Sequence, residues 1–402
     1  MRILFVCHRF PYPPTRGGKI RPFQMIHHLS RKHSVVVASL AHSQKELSEG
    51  APLTKYCDDV IGEVLPSSIR WMRASKSLLT SRPSSVAYFW APRLYARIKE
   101  RLVSSNFDVI LVHCAFVAQY VADWKQGYRI LDYGDLDSAK WAQYSQRRSL
   151  PLSFGYGLEA QKLRQYERET AGRFHCCTVT TQVEKNKFDQ LQVSTPCAVI
   201  PNGVDTAYFS RKSVARSAST IVFLGRMDYF PNIDGVCHFA DKVLPLVRAK
   251  MPNVEFRIVG SAPHRKIRQL GKIPGVVVTG SVADVRTYLQ DAAVSIAPLR
   301  IASGTQNKIL ESMAMRIPVV ATPEAAKGIQ AAPGRDLMVA DNPETFSKHV
   351  LNFLQNAALR ERFAAAARAQ VERAHLWPSS MQILDDLLAE APATRRRAMT
   401  AG

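Results

Sequence analysis

The stretch Ser303-Gly304-Thr305-Gln306-Asn307-Lys308-Ile309-Leu310-Glu311 runs into a helical segment and then into the apolar residues Ile317-Pro318-Val319-Val320-Ala321-Thr322. The pattern predicts a short helix that a glycine opens, with Lys308 and Glu311 one turn apart, followed by a buried strand. The N-terminus of a helix presents unpaired N–H groups and a partial positive charge, so it binds phosphate well. A carboxylate one to two turns further along accepts hydrogen bonds from sugar hydroxyls. The stretch therefore predicts a site for a nucleotide sugar.

Strand-like and helix-like segments alternate on both sides of this stretch. In the first half the strand candidates are 2–7, 34–40, 107–112 and 128–131, and a Pro- and Gly-rich loop with a helix over 19–31 separates the first two. In the second half they are 220–224, 254–259, 275–279, 293–297 and 318–321. Such alternation favours an α/β protein with two doubly wound parallel sheets, in which ligands bind beyond the carboxyl ends of the strands.

A length of 402 residues favours two domains. We expect a first domain over 1–195, which a C-terminal helix at 377–391 completes, and a second over 196–376 with a long Ala-rich helical region at 344–375. The prolines and the Asn202-Gly203 turn suit a hinge at 196–205. We expect the basic tail at 392–402 to be disordered.

Composition is that of a globular protein, with 46% hydrophobic and 22% charged residues. No window reaches the roughly 18 consecutive apolar residues of a membrane span, and the N-terminus does not resemble a signal peptide. The seven cysteines are scattered and form no Cys-x-x-Cys pair, which argues against a disulfide framework or a zinc site and for a reducing cytosol.

The net charge of +21 favours anionic partners. The basic residues are spread over the chain, and the tight run Arg395-Arg396-Arg397 comes without a nucleic-acid-binding signature. Attachment to an anionic membrane face therefore fits better than binding to nucleic acid.

Several motifs in this order resemble retaining glycosyltransferase family 4, which has the GT-B fold of two Rossmann-like domains facing a cleft. Glu311, Ala314 and Pro318-Val319-Val320 match the end of the family's Glu-x7-Glu motif. The other matching motifs are Pro201-Asn202-Gly203-Val204-Asp205, Leu224-Gly225-Arg226 and Gly17-Gly18. Finer features resemble a bacterial sugar transferase subfamily of exopolysaccharide and exosortase (PEP-CTERM) systems. These are 7–14, 134–141, 227–232 and 304–308.

The chain departs from the family pattern at two positions. The first Glu of Glu-x7-Glu, which in the family helps to hold the transferred sugar, falls at Ser303. The family's usual lysine six residues after the Gly-Arg arginine falls at Asn232. Lys308 is a candidate to supply the missing charge from the other side of the phosphates.

The resemblance and the motifs together give a set of site residues. The donor-binding candidates are Gly17, Gly18, Gly225, Arg226, Gly304, Thr305, Lys308 and Glu311, with Arg226 on the phosphates and Glu311 on the ribose. The catalytic candidates are His113, Asp135, Arg226 and Lys308.

Each candidate also has an ordinary structural reading: a flexible loop for the glycines, a satisfied histidine, a surface arginine, and a solvent-facing glutamate paired with Lys308. The carboxylates Asp132, Asp135 and Asp137 suit acceptor hydroxyls, helix caps or a metal. We expect no metal, because the family works without one.

The resemblance implies a retaining, metal-independent glycosyltransferase of the hexosyltransferase type. It would move a sugar from a nucleoside-diphosphate sugar, UDP-linked, to a saccharide or lipid-linked saccharide in exopolysaccharide or cell-surface glycan synthesis. We expect no cofactor beyond the donor, no nucleic-acid partner, and a cytoplasmic location at the inner membrane face. Two alternatives stay open: a nucleotide-sugar epimerase with the same fold, and a catalytically idle scaffold of a polysaccharide assembly complex.

Overall fold

The computed structural model describes residues 1–211 and 217–391, so the predicted tail at 392–402 lies outside the described residues. The chain divides into two compact units. Unit 1 comprises Met1–Ile200 with the segment that begins at Met381, and unit 2 comprises Pro201–Ser380. The predicted boundaries at 195 and 376 lie five and four residues before these.

Unit 1 is built on a parallel sheet with the strand order β3-β2-β1-β4-β5-β6-β7. The strands are β1 Arg2–Cys7, β2 Ser34–Ala41, β3 Asp59–Val64, β4 Val109–His113, β5 Tyr128–Gly134, β6 Cys176–Val179 and β7 Cys197–Val199. The helices are α1 Gly17–Leu29, α2 Gln44–Glu49, α3 Ser67–Ser77, α4 Ser84–Tyr88, α5 Pro92–Ser104, α6 Asp137–Gln146, α7 Leu152–Ala171 and α8 Gln182–Asp189. The central strands are apolar and buried on both faces, as helices on both sides of a parallel sheet require.

The register of this sheet brings three strand ends into line. Cys7 of β1 pairs with His113 of β4, and His113 pairs with Asp132 of β5. Polar side chains at these carboxyl ends therefore meet at one edge of the sheet, where doubly wound folds bind ligands.

Unit 2 repeats the plan with the parallel order β10-β9-β8-β11-β12-β13. Its strands are β8 Thr220–Leu224, β9 Glu255–Val259, β10 Val276–Gly280, β11 Val294–Ala297, β12 Val319–Ala321 and β13 Met338–Val339. The helices that follow are α9 Phe230–His238, α10 Leu244–Arg248, α11 Arg265–Leu270, α12 Arg286–Leu289, α13 Asn307–Ala314, α14 Pro323–Ala326, α15 Pro343–Gln355 and α16 Ala357–Ala374. The last helix, α17, is Trp377–Ala389.

The sequence predictions hold for the strongly apolar strands and need correction elsewhere. The predicted hinge at 196–205 contains an edge strand, Cys197–Val199, which pairs with β6. The helical region at 344–375 is two helices, because Asn356 is extended and its side chain accepts a hydrogen bond from the backbone N–H of Leu359 to cap the second. Within the described ranges, no helix has the length and apolar character needed to cross a bilayer.

Candidate active site

A tight loop follows β8 in unit 2. Gly225 has φ of 159°, and a Cβ at Gly260 would lie 1.7 Å from the Gly225 carbonyl oxygen, so the two glycines let β8 and β9 end side by side. Arg226 Nε donates to Asp228 Oδ1 at 2.9 Å, and the side chains of the pair are 39% and 44% exposed. Its charge is therefore partly compensated inside the protein.

Lys308 lies on the other side of this loop, on α13. Its Nζ donates to Asn232 Oδ1 at 2.7 Å and lies 4.8 Å from the centre of the Phe223 ring. Asn232 Nδ2 in turn donates to the carbonyl of Arg226 at 2.8 Å. No carboxylate of the described residues lies within 4.0 Å of Nζ, and burial lowers the pKa of Lys308 to about 7. Among the described residues, no carboxylate is therefore in contact with this ammonium.

Glu311 follows one turn later on the same helix. Within residues 1–211 and 217–391 its carboxylate has no hydrogen-bond donor, and burial raises its pKa to about 7 although the charge of Lys308 lowers it. The predicted pairing with Lys308 is thus an attraction through space rather than a contact. A carboxylate without donors is suited to receive hydroxyl hydrogens from a ligand.

The loop before α13 is held by a close backbone approach. Gly304 has φ of 57°, and a Cβ at Gly328 would lie 2.0 Å from the Gly304 carbonyl oxygen. The hydroxyls of Ser303 and Thr305 are buried and have no hydrogen-bond partner among residues 1–211 and 217–391. Buried hydroxyls usually have partners, so these two mark a place where a ligand can supply them.

The helix start predicted at Gly304 is wrong by three residues, because α13 begins at Asn307. Its N-cap, Gln306, gives no side-chain hydrogen bond to the first turn and instead donates to the carbonyl of Ser303 at 2.9 Å. The backbone N–H of Ile309 donates to the Gln306 carbonyl at 2.9 Å, whereas no acceptor of the described residues takes the N–H groups of Asn307 and Lys308.

In unit 1, Asp132 is the centre of a buried network at the ends of β4, β5 and β6. It accepts from Arg21 Nη2 at 2.7 Å and Nε at 2.9 Å, from Thr178 Oγ1 at 2.7 Å, and pairs with His113 Nδ1 at 2.7 Å. Burial alone would raise the pKa of Asp132, but the charge of Arg21 and the hydrogen bonds from His113 and Arg21 hold it well below its usual range. With Nδ1 on a carboxylate, Nε2 is the ring nitrogen of His113 that is left for another partner.

Asp135 has different partners from Asp132. It accepts from Thr180 Oγ1 at 2.7 Å, and burial, with a further contribution from Glu184, raises its pKa to about 6. Asp137 pairs with Lys140 at 2.5 Å. The three carboxylates are thus separate in their contacts, and the described residues contain no group of three side chains arranged to hold a metal.

The Gly17-Gly18 pair forms the first turn of α1 rather than a loop before a helix at Lys19. A Cβ at Gly18 would lie 3.5 Å from Cδ of Arg9, an ordinary contact. The flanking cations Arg16 and Lys19 lie 3.4 and 2.8 Å from Glu46 Oε1, so both are partly compensated.

The structure brings together Gly225, Arg226, Lys308 and Asn232 in unit 2, where Asn232 links Lys308 to the backbone of Arg226. It adds two residues that the sequence did not single out, Arg21 and Thr178, which donate hydrogen bonds to Asp132. Neither belongs to a local motif, since each contacts a residue far away in sequence.

The segment 218–356 matches the family "Glycosyl transferases group 1". The matched segment lies within unit 2 and includes Gly225, Arg226, Lys308 and Glu311.

Two curated relatives extend over most of the chain. A "44.6 kDa protein in cps region" of Klebsiella pneumoniae is 23% identical over 373 residues, covering 88% of this chain and 91% of that protein. The phosphatidyl-myo-inositol mannosyltransferase of Mycobacterium tuberculosis is 24% identical over 301 residues, covering 71% of this chain and 74% of the relative.

Solved structures show the same fold over nearly the whole chain. The sucrose-phosphate synthase of Thermosynechococcus elongatus has a TM-score of 0.75 at 14% identity, covering 98% of this chain and all of that one. HepE of Anabaena in complex with UDP-glucose has a TM-score of 0.66 at 15% identity, covering 97% and 100%. The GT-B fold predicted from the sequence is thereby confirmed.

Proposed function

We propose that this chain is a retaining glycosyltransferase that takes a UDP-sugar as donor and a saccharide or lipid-linked saccharide as acceptor. The observation that carries the proposal is the half-buried ammonium of Lys308, which has Asn232 as its partner and no carboxylate within 4.0 Å in the described residues. A desolvated cation without a counter-charge is costly, and an anionic ligand removes that cost.

The donor diphosphate would lie between Lys308, the loop at Gly225 and the open first turn of α13. Positive groups fixed beside a departing diphosphate stabilise the charge that builds up in the transition state, and this term is often the largest in catalysis. Lys308 carries more of it than Arg226, because Arg226 already shares its charge with Asp228. These two cations supply the charge that a metal gives in other enzymes.

Glu311 would accept hydrogen bonds from the ribose hydroxyls. Its lack of donors and its raised pKa support this role, since a diol supplies two donors that favour the charged form. The hydroxyls of Ser303 and Thr305 would contact the phosphates or the sugar.

Unit 1 would take the acceptor at the carboxyl ends of its strands. We assign His113 to the reacting sugar and Asp135, whose pKa of about 6 leaves it mostly charged at neutral pH, to hydrogen bonds from the acceptor hydroxyls. The leaving phosphate itself would accept the proton of the attacking hydroxyl, so no nucleophilic side chain is required.

The relatives support a role in surface polysaccharide synthesis. One is named for a cps region, and another is named as a mannosyltransferase that acts on a phosphatidyl-inositol. We infer that this chain acts in exopolysaccharide or cell-surface glycan assembly at the cytoplasmic face of a membrane.

Incubation of the purified protein with UDP-, GDP- and dTDP-sugars and a lipid extract tests the activity. We expect release of UDP that needs the extract and persists in EDTA, and a product whose NMR coupling constants show the anomeric configuration of the donor. Conversion of the donor without an acceptor would indicate an epimerase. Failure of every donor to bind in calorimetry would refute the proposal.

A charge-relocation experiment tests the placement of the diphosphate. Lys308→Met should weaken UDP binding by about 100-fold, since it removes a desolvated charge contact. Asn232→Lys/Lys308→Met should recover at least tenfold, because Nζ of Lys308 lies 2.7 Å from the Asn232 side chain and a lysine there reaches the same place. Lys272→Met, an exposed lysine of the same unit, is the control and should bind normally. Full affinity in Lys308→Met would show that the nucleotide binds elsewhere.

A further inference from the structure

Eight large apolar side chains are exposed on two segments of unit 1, 71–79 and 150–158. We call them the apolar surface: Trp71, Met72, Leu78, Leu79, Leu150, Leu152, Phe154 and Leu158. Leu79 is 96% exposed, Leu150 78% and Phe154 71%. The eight are more than half of the fourteen exposed large apolar side chains of the described residues, although the two segments hold a small part of the chain. Such clustering marks an interaction site.

Hydrogen bonds hold the two segments side by side. Lys162 Nζ of α7 donates to the carbonyl of Leu78 at 3.0 Å. The carboxylate of Glu159 accepts from the backbone N–H groups of Ser84 and Ser85 at 2.9 and 2.8 Å. Phe154 lies two turns before Lys162 on the same helix, about 12 Å along its axis. The middle of α7 therefore lies against the segment that follows α3, and the start of α7 extends about two turns beyond this contact.

Most ionisable residues in these two segments and their flanks are basic. No acidic residue occurs between Glu63 and Glu100, an interval with seven lysines and arginines, and none occurs between Asp137 and Glu159, which enclose three more. The exposed cations nearest in sequence to the apolar side chains are Lys76, Arg82, Arg147 and Arg148, whereas Arg70 is fully buried and Lys140 pairs with Asp137. Exposed apolar side chains flanked by cations favour an occupant that is both apolar and negatively charged.

We propose that the apolar surface docks on an anionic phospholipid bilayer, with the side chains of α3, Leu78–Leu79 and the start of α7 inserted among the lipids. An anionic membrane offers both a negative headgroup layer and an apolar interior. A second copy of the chain would instead set one basic surface against another. The exposed indole of Trp71, whose ring packs edge-on against Tyr88 at 5.3 Å, suits the boundary between the two layers.

This inference rests on the proposed function for its purpose, since a lipid-linked acceptor lies in the membrane, but its physical basis is separate from the donor site. The net charge alone predicts attachment to an anionic membrane, and the inference assigns that attachment to a defined surface of unit 1. The docking involves none of the residues assigned to the donor or the acceptor.

Vesicle sedimentation of the full chain tests the surface. The protein should pellet with vesicles of phosphatidylcholine and 30% phosphatidylglycerol, by at least tenfold over pure phosphatidylcholine, and 0.5 M NaCl should reverse most of this. Trp71 emission should shift to the blue on binding, and Trp71→Phe should remove most of that shift. Leu79→Glu/Phe154→Glu should bind at least tenfold more weakly.

Val103→Glu is the matched control, because Val103 is 71% exposed in unit 1 and lies outside the apolar surface. It should bind vesicles as the unmodified protein does. Absence of binding to anionic vesicles, an equal loss in Val103→Glu, or a change of oligomeric state in Leu79→Glu/Phe154→Glu by light scattering would each overturn the proposal. UDP binding, measured on the same samples, should be unchanged in both variants. A protein that binds vesicles but not UDP would refute the proposed function and leave the docking surface intact.

Discussion

Replacing Asp132 by asparagine should destabilise unit 1 strongly, because the carboxylate is the shared acceptor of a buried network. Asp132 is fully buried, and its carboxylate accepts hydrogen bonds from Nε and Nη2 of Arg21 and from Thr178 Oγ1. It also pairs with His113 Nδ1. Asparagine removes the negative charge and turns an N–H group toward these donors. Removing one partner of a buried ion pair costs about 3–5 kcal/mol, so we expect a loss of this size in the free energy of unfolding.

Urea denaturation followed by tryptophan fluorescence measures this loss. Four of the five tryptophans, Trp71, Trp90, Trp124 and Trp141, lie in unit 1 and report on its unfolding. The control is Asp123→Asn, since Asp123 pairs with Arg173 at 3.0 Å but its side chain is 91% exposed. That pair should contribute about 0–1 kcal/mol.

The dependence of the free energy of unfolding on pH also tests the role of Asp132. The folded pKa of Asp132 is depressed, so its contribution is complete above the unfolded pKa of about 4 and is lost as the pH falls below that value. Asp132→Asn should therefore have a flatter stability profile on the acid side. Arg21→Met/Asp132→Asn should recover part of the loss, because no buried charge is left unpaired. If Asp132→Asn costs no more than Asp123→Asn, the network does not hold the sheet as we infer.

The remaining predictions concern unit 2. Binding of a UDP-sugar should take up protons at pH 8, because a phosphate raises the lowered pKa of Lys308. It should release protons at pH 6, because hydroxyl donors lower the raised pKa of Glu311. Calorimetry in buffers of different ionisation enthalpy measures the number of protons exchanged, and the same sign of exchange at both pH values would contradict these roles. Glu311→Gln should abolish the release at pH 6 and weaken binding about tenfold, while leaving the uptake at pH 8. Gly260→Ala should displace the Gly225 loop and weaken UDP binding, whereas Gly334→Ala, also at positive φ but in open space, should bind normally.

The sequence predicts most of the central strands, because each is a short apolar run that a buried parallel strand requires, but it misses the four-residue interior strand β6, Cys176–Val179. Two edge strands of unit 1 are also missed. Asp59–Val64 carries two carboxylates and a glycine, and Cys197–Val199 is a three-residue strand in a segment with prolines on both sides. Edge strands are half-solvated and need no continuous apolar run, so their composition resembles that of a loop.

The candidate site is predictable where residues act through a local motif. Gly225, Arg226, Lys308 and Glu311 are of this kind, and the structure shows how their surroundings alter them. Arg21 and Asp132 are 111 residues apart in sequence, and no pattern in a single sequence indicates that they are in contact. The lowered pKa of Lys308 likewise depends on packing, which residue spacing does not encode.

The contact between Lys308 and Asn232 has a consequence for how such chains change in evolution. A lysine at position 232 or at position 308 can place its ammonium group at the same site. A chain with lysine at both would set two ammonium groups against each other at hydrogen-bonding distance, and a chain with neither would lose the charge. The two positions should therefore vary together across relatives, with one lysine present at a time. A search that inspects the position of Asn232 alone would discard active members as defective.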